Sequence, residues 1–192
     1  MTSEYQIHLE DEAATLRFGA ALAQATFSDP ENAPADNARV DNARVDNARV
    51  DNARVDIVEG IGVPTIGGII HLHGDLGAGK TTLARGLMRG YGHRGAVKSP
   101  TYTIVEPYEF ERCCIYHFDL YRLLDPEEVE YLGADDYFNR ANLCLIEWAE
   151  NGVGIVPAAD LKIEIESAGT GRLLKCQSLT DKGAIIAKRL WP

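Results

Sequence analysis

No apolar run in this 192-residue chain approaches the roughly 20 residues that a bilayer-spanning helix needs, and no membrane partnership is expected. The first residues also lack a basic region followed by an apolar one, which predicts a cytoplasmic protein. Basic side chains are scarce. Lys and Arg number 19 against 29 Asp and Glu, a formal charge of −10. That balance excludes a broad electrostatic grip on nucleic acid, so any connection to RNA is expected to run through another protein. The four cysteines (Cys113, Cys114, Cys144, Cys176) show no C-x-x-C spacing. Buried free thiols in a reducing compartment are expected, not zinc ligands or disulfides. Hydrophobic content of 45% and charged content of 25% suit one globular domain with a full core, residues 1–192.

One stretch organises the rest: Gly74-Asp75-Leu76-Gly77-Ala78-Gly79-Lys80-Thr81-Thr82. It follows the apolar run Ile69-Ile70-His71-Leu72-His73, which reads as a buried strand. It leads into Leu83-Ala84-Arg85-Gly86-Leu87-Met88, whose apolar residues recur at helical spacing. Strand, G-x-x-x-x-G-K-[ST] loop and helix in that order predict a phosphate-binding loop. Gly77 and Gly79 let the backbone curl its N–H groups toward an anion, and the following helix adds its positive dipole end. Lys80 reaches terminal phosphates as a mobile charge, and the Thr81 hydroxyl is placed to ligate magnesium.

Elsewhere the pattern alternates. Glu4–Leu9 reads as a strand, and Asp11 caps a helix that fades near Phe27. Asp-Asn-Ala-Arg-Val then repeats in perfect tandem four times from Asp36 to Val55. On a helix a five-residue period rotates each Val by about 140° from the last, and on a strand the Val residues alternate faces, so no apolar stripe forms. The segment at about residues 29–60 therefore reads as a solvated insertion that interrupts the domain. Beyond the loop and its helix, which stops near Gly90-Tyr91-Gly92, Thr103–Phe110 is expected as a strand. So are Cys113–Phe118, closing in Asp119, and Asn142–Ile146, closing in Glu147. Asp125-Pro126-Glu127-Glu128 has the form of a helix start, ending at Gly133, with a short turn over Asp135–Phe138. Asp160–Ser178 reads as a hairpin and Lys182–Leu190 as a closing helix. The fold class is α/β: a three-layer sandwich with a mixed, mostly parallel sheet and a C-terminal antiparallel hairpin.

In open α/β sheets, sites lie beyond the carboxyl ends of strands, where Asp119 and Glu147 sit. Both are placed to reach a magnesium ion carried by ATP or GTP, or a water attacking the γ-phosphate. Thr101, in a Gly- and Pro-containing loop, either completes the magnesium shell when that loop closes or stabilises the turn after Pro100. Trp148 either packs over the site or sits in the core. His117 is structural or a hydrogen-bond partner of the site, and His71 with His73 reads as strand packing in preference to zinc.

Four ordered blocks carry a resemblance. Gly74–Thr82, Lys98-Ser-Pro-Thr-Tyr-Thr103, His117-Phe-Asp-Leu-Tyr-Arg122 and Leu145-Ile-Glu-Trp148 resemble those of the TsaE family, small bacterial P-loop ATPases required for making threonylcarbamoyladenosine in tRNA. The resemblance covers nearly all of the chain outside roughly residues 29–60. It implies an ATPase that acts on a TsaB–TsaD complex, which modifies the adenosine beside the anticodon, and that meets tRNA only indirectly. It implies ATP and magnesium as cofactors, with Thr81 and Glu147 ligating the ion, Asp119 as a Walker B-like carboxylate and metal neighbour, and Lys80, Asp119 and Glu147 as catalytic groups. Thr101 would sit in a switch-like loop, and Glu12, in Asp11-Glu12-Ala13-Ala14-Thr15, near the adenine. The repeat departs from the family pattern. Two other readings stand beside this one: a small-molecule kinase, or a nucleotide-dependent binding switch with incidental hydrolysis. A kinase needs arginines that clamp an acceptor, and after Pro100 only Arg112, Arg122, Arg140, Arg172 and Arg189 remain, without clustering.

Overall fold

The computed structural model describes residues 3–28, 64–125, 129 and 134–191. Chain order runs β1 (Glu4–Leu9), α1 (Glu12–Ala25), β2 (Gly68–His73), α2 (Lys80–Gly90), β3 (Val105–Phe110) and β4 (Cys113–Asp119). It continues with the short α3 (Ala134–Tyr137), β5 (Leu143–Glu147), a 3-10 turn (Ala149–Gly152), β6 (Leu161–Ala168), β7 (Gly171–Ser178) and α4 (Asp181–Leu190). Asp11 caps α1 as its sequence position suggests, its carboxylate accepting from Ala14 N at 2.7 Å. Thr180 does the same for α4 through Gly183 N at 3.2 Å.

Seven strands form one sheet in the order β1-β7-β6-β2-β5-β4-β3. The mixed sheet matches expectation, but parallel pairing does not predominate. The pairs β6/β2, β2/β5 and β5/β4 are parallel, and β1/β7, β7/β6 and β4/β3 are antiparallel. The hairpin β6–β7 recruits β1 on one side, and the tight β3–β4 turn adds an antiparallel edge on the other. The expected strand at Thr103 starts two residues later, at Val105, because Ile104 takes a left-handed φ of 66° that no strand accommodates.

Alternation along the strands builds two cores. Ile70 and Leu72 of β2, Leu143 and Leu145 of β5, and Leu161, Ile163 and Ile165 of β6 join α1, α2 and α4 in the larger one. Ile69, Phe118, Cys144 and Ile146 face the other way, under Leu120, Leu123, Val129 and Ala149. Helices α1 and α2 meet backbone to backbone. A Cβ on Gly19 would fall 2.8 Å from Gly86 Cα, and one on Gly86 would strike the Leu16 carbonyl oxygen. Three of the four thiols are buried and, among the described residues, none is in a disulfide. Burial pushes Cys113 and Cys176 up to about 12. Among the described residues no helix is long and apolar enough to cross a membrane.

The repeat from Asp36 to Val55, and the helix expected from Pro126 to Gly133 apart from buried Val129, lie outside the described residues. The chain on either side of the repeat is pinned together. Phe27 and Thr65 form a β-bridge, Ser28 N donates to Pro64 O at 2.8 Å, and Ile66 N donates to Thr26 O at 2.9 Å.

Candidate functional site

Strand β2 ends at His73, and the chain turns through Gly74 (φ 142°), Gly77 (φ 81°) and Gly79 (φ 113°) before α2 begins at Lys80. These are left-handed or otherwise glycine-only conformations, and at Gly74 a side chain would also collide with the Ile165 carbonyl oxygen. The curl buries Ala78, whose N–H donates to Asp75 O at 3.0 Å, and exposes Leu76. Among the described residues, the N–H groups of Gly77, Gly79, Lys80 and Thr81 make no hydrogen bond. Four open donors beside a helix N-terminus form an anion cradle. The Lys80 ammonium is folded back on the loop, donating to Gly74 O at 2.6 Å and Asp75 O at 3.0 Å, and lies 4.1 Å from the centre of the Trp148 ring. Burial lowers its pKa, against the pull of Glu147 and Asp119.

Strands β4 and β5 are in register so that Asp119 pairs with Glu147. Both carboxylates are buried, at 4% and 3% exposure, next to the cradle. They hold different partners. Glu147 Oε1 accepts from the Thr81 hydroxyl at 3.0 Å and from His117 Nε2 at 2.9 Å, while Oε2 accepts nothing among the described residues. Asp119 Oδ2 accepts from the Ser99 and Thr101 hydroxyls, the latter at 2.8 Å, and Oδ1 from Tyr121 N at 3.0 Å. Glu147 is thus the acid tied to the glycine-rich loop, and Asp119 the acid tied to the loop after α2.

A cleft of about 390 Å³ opens between these groups. It is lined by Leu76, Gly77, Gly79, Lys80, Thr81 and Thr82 from the loop and by Thr101, Asp119, Glu147 and Trp148 from the candidates beyond it. The Trp148 ring leans over Lys80 and packs on Tyr121 at 5.0 Å, and it also borders the smaller core. Gly74, Asp75 and Ala78 do not line the cleft, and neither does Glu12. Glu12 is exposed at the start of α1 and paired with Arg85 at 3.3 Å. Three lining residues were missed: Ser99, Tyr121 and Arg122. Their signal was proximity in sequence, Ser99 two residues before Thr101 and the other two just past Asp119. His71 and His73 are occupied away from the cleft, His71 with Pro157 O at 3.0 Å and His73 with Glu150 at 3.4 Å.

Fold and cleft together define a class: an α/β protein with a glycine-rich strand–loop–helix at the head of its parallel strands and two acids converging on it. The family model described as threonylcarbamoyl adenosine biosynthesis protein TsaE matches residues 35–174, and the chain belongs to that family. It is 54% identical over 118 residues to the Haemophilus influenzae "tRNA threonylcarbamoyladenosine biosynthesis protein TsaE", covering 62% of this chain and 75% of that one. The Bacillus subtilis protein of the same name is 44% identical over 103 residues, 54% of this chain and 64% of its own. A crystal structure of YdiB from Bacillus subtilis superposes with a TM-score of 0.66 over 99% of this chain and 95% of that one; at 24% identity it speaks to the fold alone.

Proposed function

We propose that this protein binds ATP with magnesium in the cleft and hydrolyses it in support of threonylcarbamoyl modification of the adenosine next to the tRNA anticodon. The observation that carries the reading is the set of four open N–H groups on residues that line a cleft with two buried acids. The family's biosynthetic role supplies the context. With a charge of −10 the protein meets tRNA indirectly, through a TsaB–TsaD complex.

The donor set suits magnesium. Hard oxygen ligands are available in the Thr81 hydroxyl and the uncommitted Oε2 of Glu147, with Asp119 alongside. When bound, the ion would neutralise charge on the phosphate oxygens. The cradle would hold the phosphates, Lys80 would swing from the Gly74 and Asp75 carbonyls onto the terminal phosphates, and Trp148 would cover them. Asp119 would orient the attacking water or steady the ion, with the 99–103 loop closing above. Hydrolysis is expected to be slow alone and faster with the partner, as closure excludes water and completes the charge stabilisation.

The Asp119 bonds to Ser99 and Thr101 also favour a second reading, a nucleotide-dependent binding switch, because they are the kind of contact a bound nucleotide would rearrange. One reconstitution separates the two. Modification of tRNA by the TsaB–TsaD complex should require this protein together with ATP, and should fail with a non-hydrolysable analogue or with Lys80→Ala. Full modification with the analogue would replace turnover by switching, and full activity of Lys80→Ala would remove the cleft from the function.

A further inference from the structure

Among the described residues, Lys80 and Arg122 are the cationic side chains that line the cleft. Lys80 has its partners in the loop. Arg122 comes from the turn that follows Asp119, where Asp119 Oδ1 accepts from Tyr121 N and Leu123 N donates to Leu120 O at 3.1 Å. Among the described residues Arg122 forms no ion pair and no hydrogen bond. Its guanidinium instead lies 4.3 Å from the centre of the Tyr102 ring, and that ring is 83% exposed. Tyr102 belongs to the loop whose Ser99 and Thr101 are bonded to Asp119.

An exposed guanidinium resting on a solvent-facing ring is held weakly and is free to leave. Two carboxylates already line the cleft, so a triphosphate brings negative charge that one ammonium and a divalent ion do not cover. Arginine is the side chain suited to that deficit, because its planar fork can donate to two phosphoryl oxygens at once.

We propose that Arg122 is a catalytic residue of the ATP hydrolysis inferred above, parked on Tyr102 until the cleft fills and then donating to the β–γ bridging oxygen and an oxygen of the transferring γ-phosphoryl group. This rests on the nucleotide reading of the cleft. Atoms balance as in any hydrolysis: water adds to the γ-phosphorus, the bond to the β–γ bridging oxygen breaks, and ADP and phosphate leave. Arg122 contributes charge and geometry and exchanges no proton. Negative charge builds on the β–γ bridging oxygen as its bond loosens. A guanidinium fork spanning that oxygen and a γ-oxygen meets more of it than in the ground state, so its contribution falls on turnover more than on ground-state binding.

The test uses the full chain with magnesium and ADP, with and without aluminium fluoride, which completes a mimic of the transferring phosphoryl group. Aluminium fluoride should tighten ADP binding to the wild type by at least about 10²-fold. Arg122→Ala should bind ADP alone within about threefold of wild type and lose most of that gain, with an unchanged melting temperature because the side chain is exposed. Arg122→Lys should also lose most of it, lacking the fork, and Tyr102→Phe should keep it. If Arg122→Ala retains the full gain, Arg122 is not catalytic. A wild type that binds ADP but gains nothing from aluminium fluoride overturns the proposal and leaves nucleotide binding standing; one that binds no ADP overturns both. Collapse of ADP affinity in Arg122→Ala would make the residue a ground-state ligand and likewise end the proposal.

Discussion

Oxygen Oε1 of Glu147 takes two donors, Thr81 and His117, and the second is wholly buried. His117 fixes the carboxylate while its other ring nitrogen, Nδ1, has no partner among the described residues. An imidazole kept in the core with one nitrogen unsatisfied must be held by the bond at the other. Replacing it should therefore separate packing from hydrogen bonding. His117→Ala should cost about 2–4 kcal/mol, a cavity plus a lost bond to a charged group. His117→Gln, whose amide can reach the Nε2 position, should cost clearly less. Urea unfolding midpoints decide it, and equal losses for the two variants would show that the bond to Glu147 contributes little. This role was left open in the sequence because a histidine two residues before an acid on a strand shares its face but says nothing about the neighbouring strand. The acids themselves were legible, since each closes an apolar run.

At the scale of elements, α2 carries the cradle, and its position is set by glycine contact with α1. Gly19, Gly86 and Gly90 leave no room for a methyl group: a Cβ on Gly90 would lie 3.0 Å from Ala20 O. Gly86→Ala must separate the two helices. It should destabilise the fold by about 1–3 kcal/mol despite alanine's better helix propensity. Because Lys80 and Thr81 sit in the first turn of the same helix, ADP affinity should fall with it. A thermal melt and an ADP titration on one sample check both, and an undisturbed Gly86→Ala would mean that the helices have slack. Glycine inside a helical pattern signals something but not what, so this crossing was not readable in advance. The strand–loop–helix was readable, because its glycines occur at the spacing an anion cradle requires. Ile104 and Trp148 were not: both have φ near +60°, at 66° and 60°, and both adjoin the acids. Neither residue type announces a left-handed backbone, and strain of that kind is imposed by the surrounding fold. The same limit hid Arg122, which looks isolated in the sequence and meets Tyr102 only once β4 and the loop before β3 are brought together.

Over the whole molecule, the three long helices lie on one face of the sheet, and the other is covered by the segments after β4 and β5. The cleft opens at the end of the central parallel strands, while the bridge between Phe27 and Thr65 lies beside the C-terminal end of α1. Deletion of Asp36–Val55 should leave ADP affinity within about twofold and change stability by less than about 1 kcal/mol, toward greater stability, since a shorter loop costs less entropy to close. Calorimetric binding and a denaturant melt of the deleted chain test this, and a tenfold loss of affinity would give the repeat a function. The repeat reads as an insertion because its period suits neither helix nor strand, and it lies outside the described residues. That its flanks would be stitched together was not legible, because Thr65 and Phe27 are far apart in sequence and neither belongs to a patterned element.

The stitch at Phe27 and Thr65 brings together the two points of the fold between which the repeat is encoded. A gene encoding such a repeat can gain or lose whole copies of Asp-Asn-Ala-Arg-Val by slippage during replication without shifting the register of any strand. Copy number among strains is then free to drift, and the same position offers a natural place to graft a reporter.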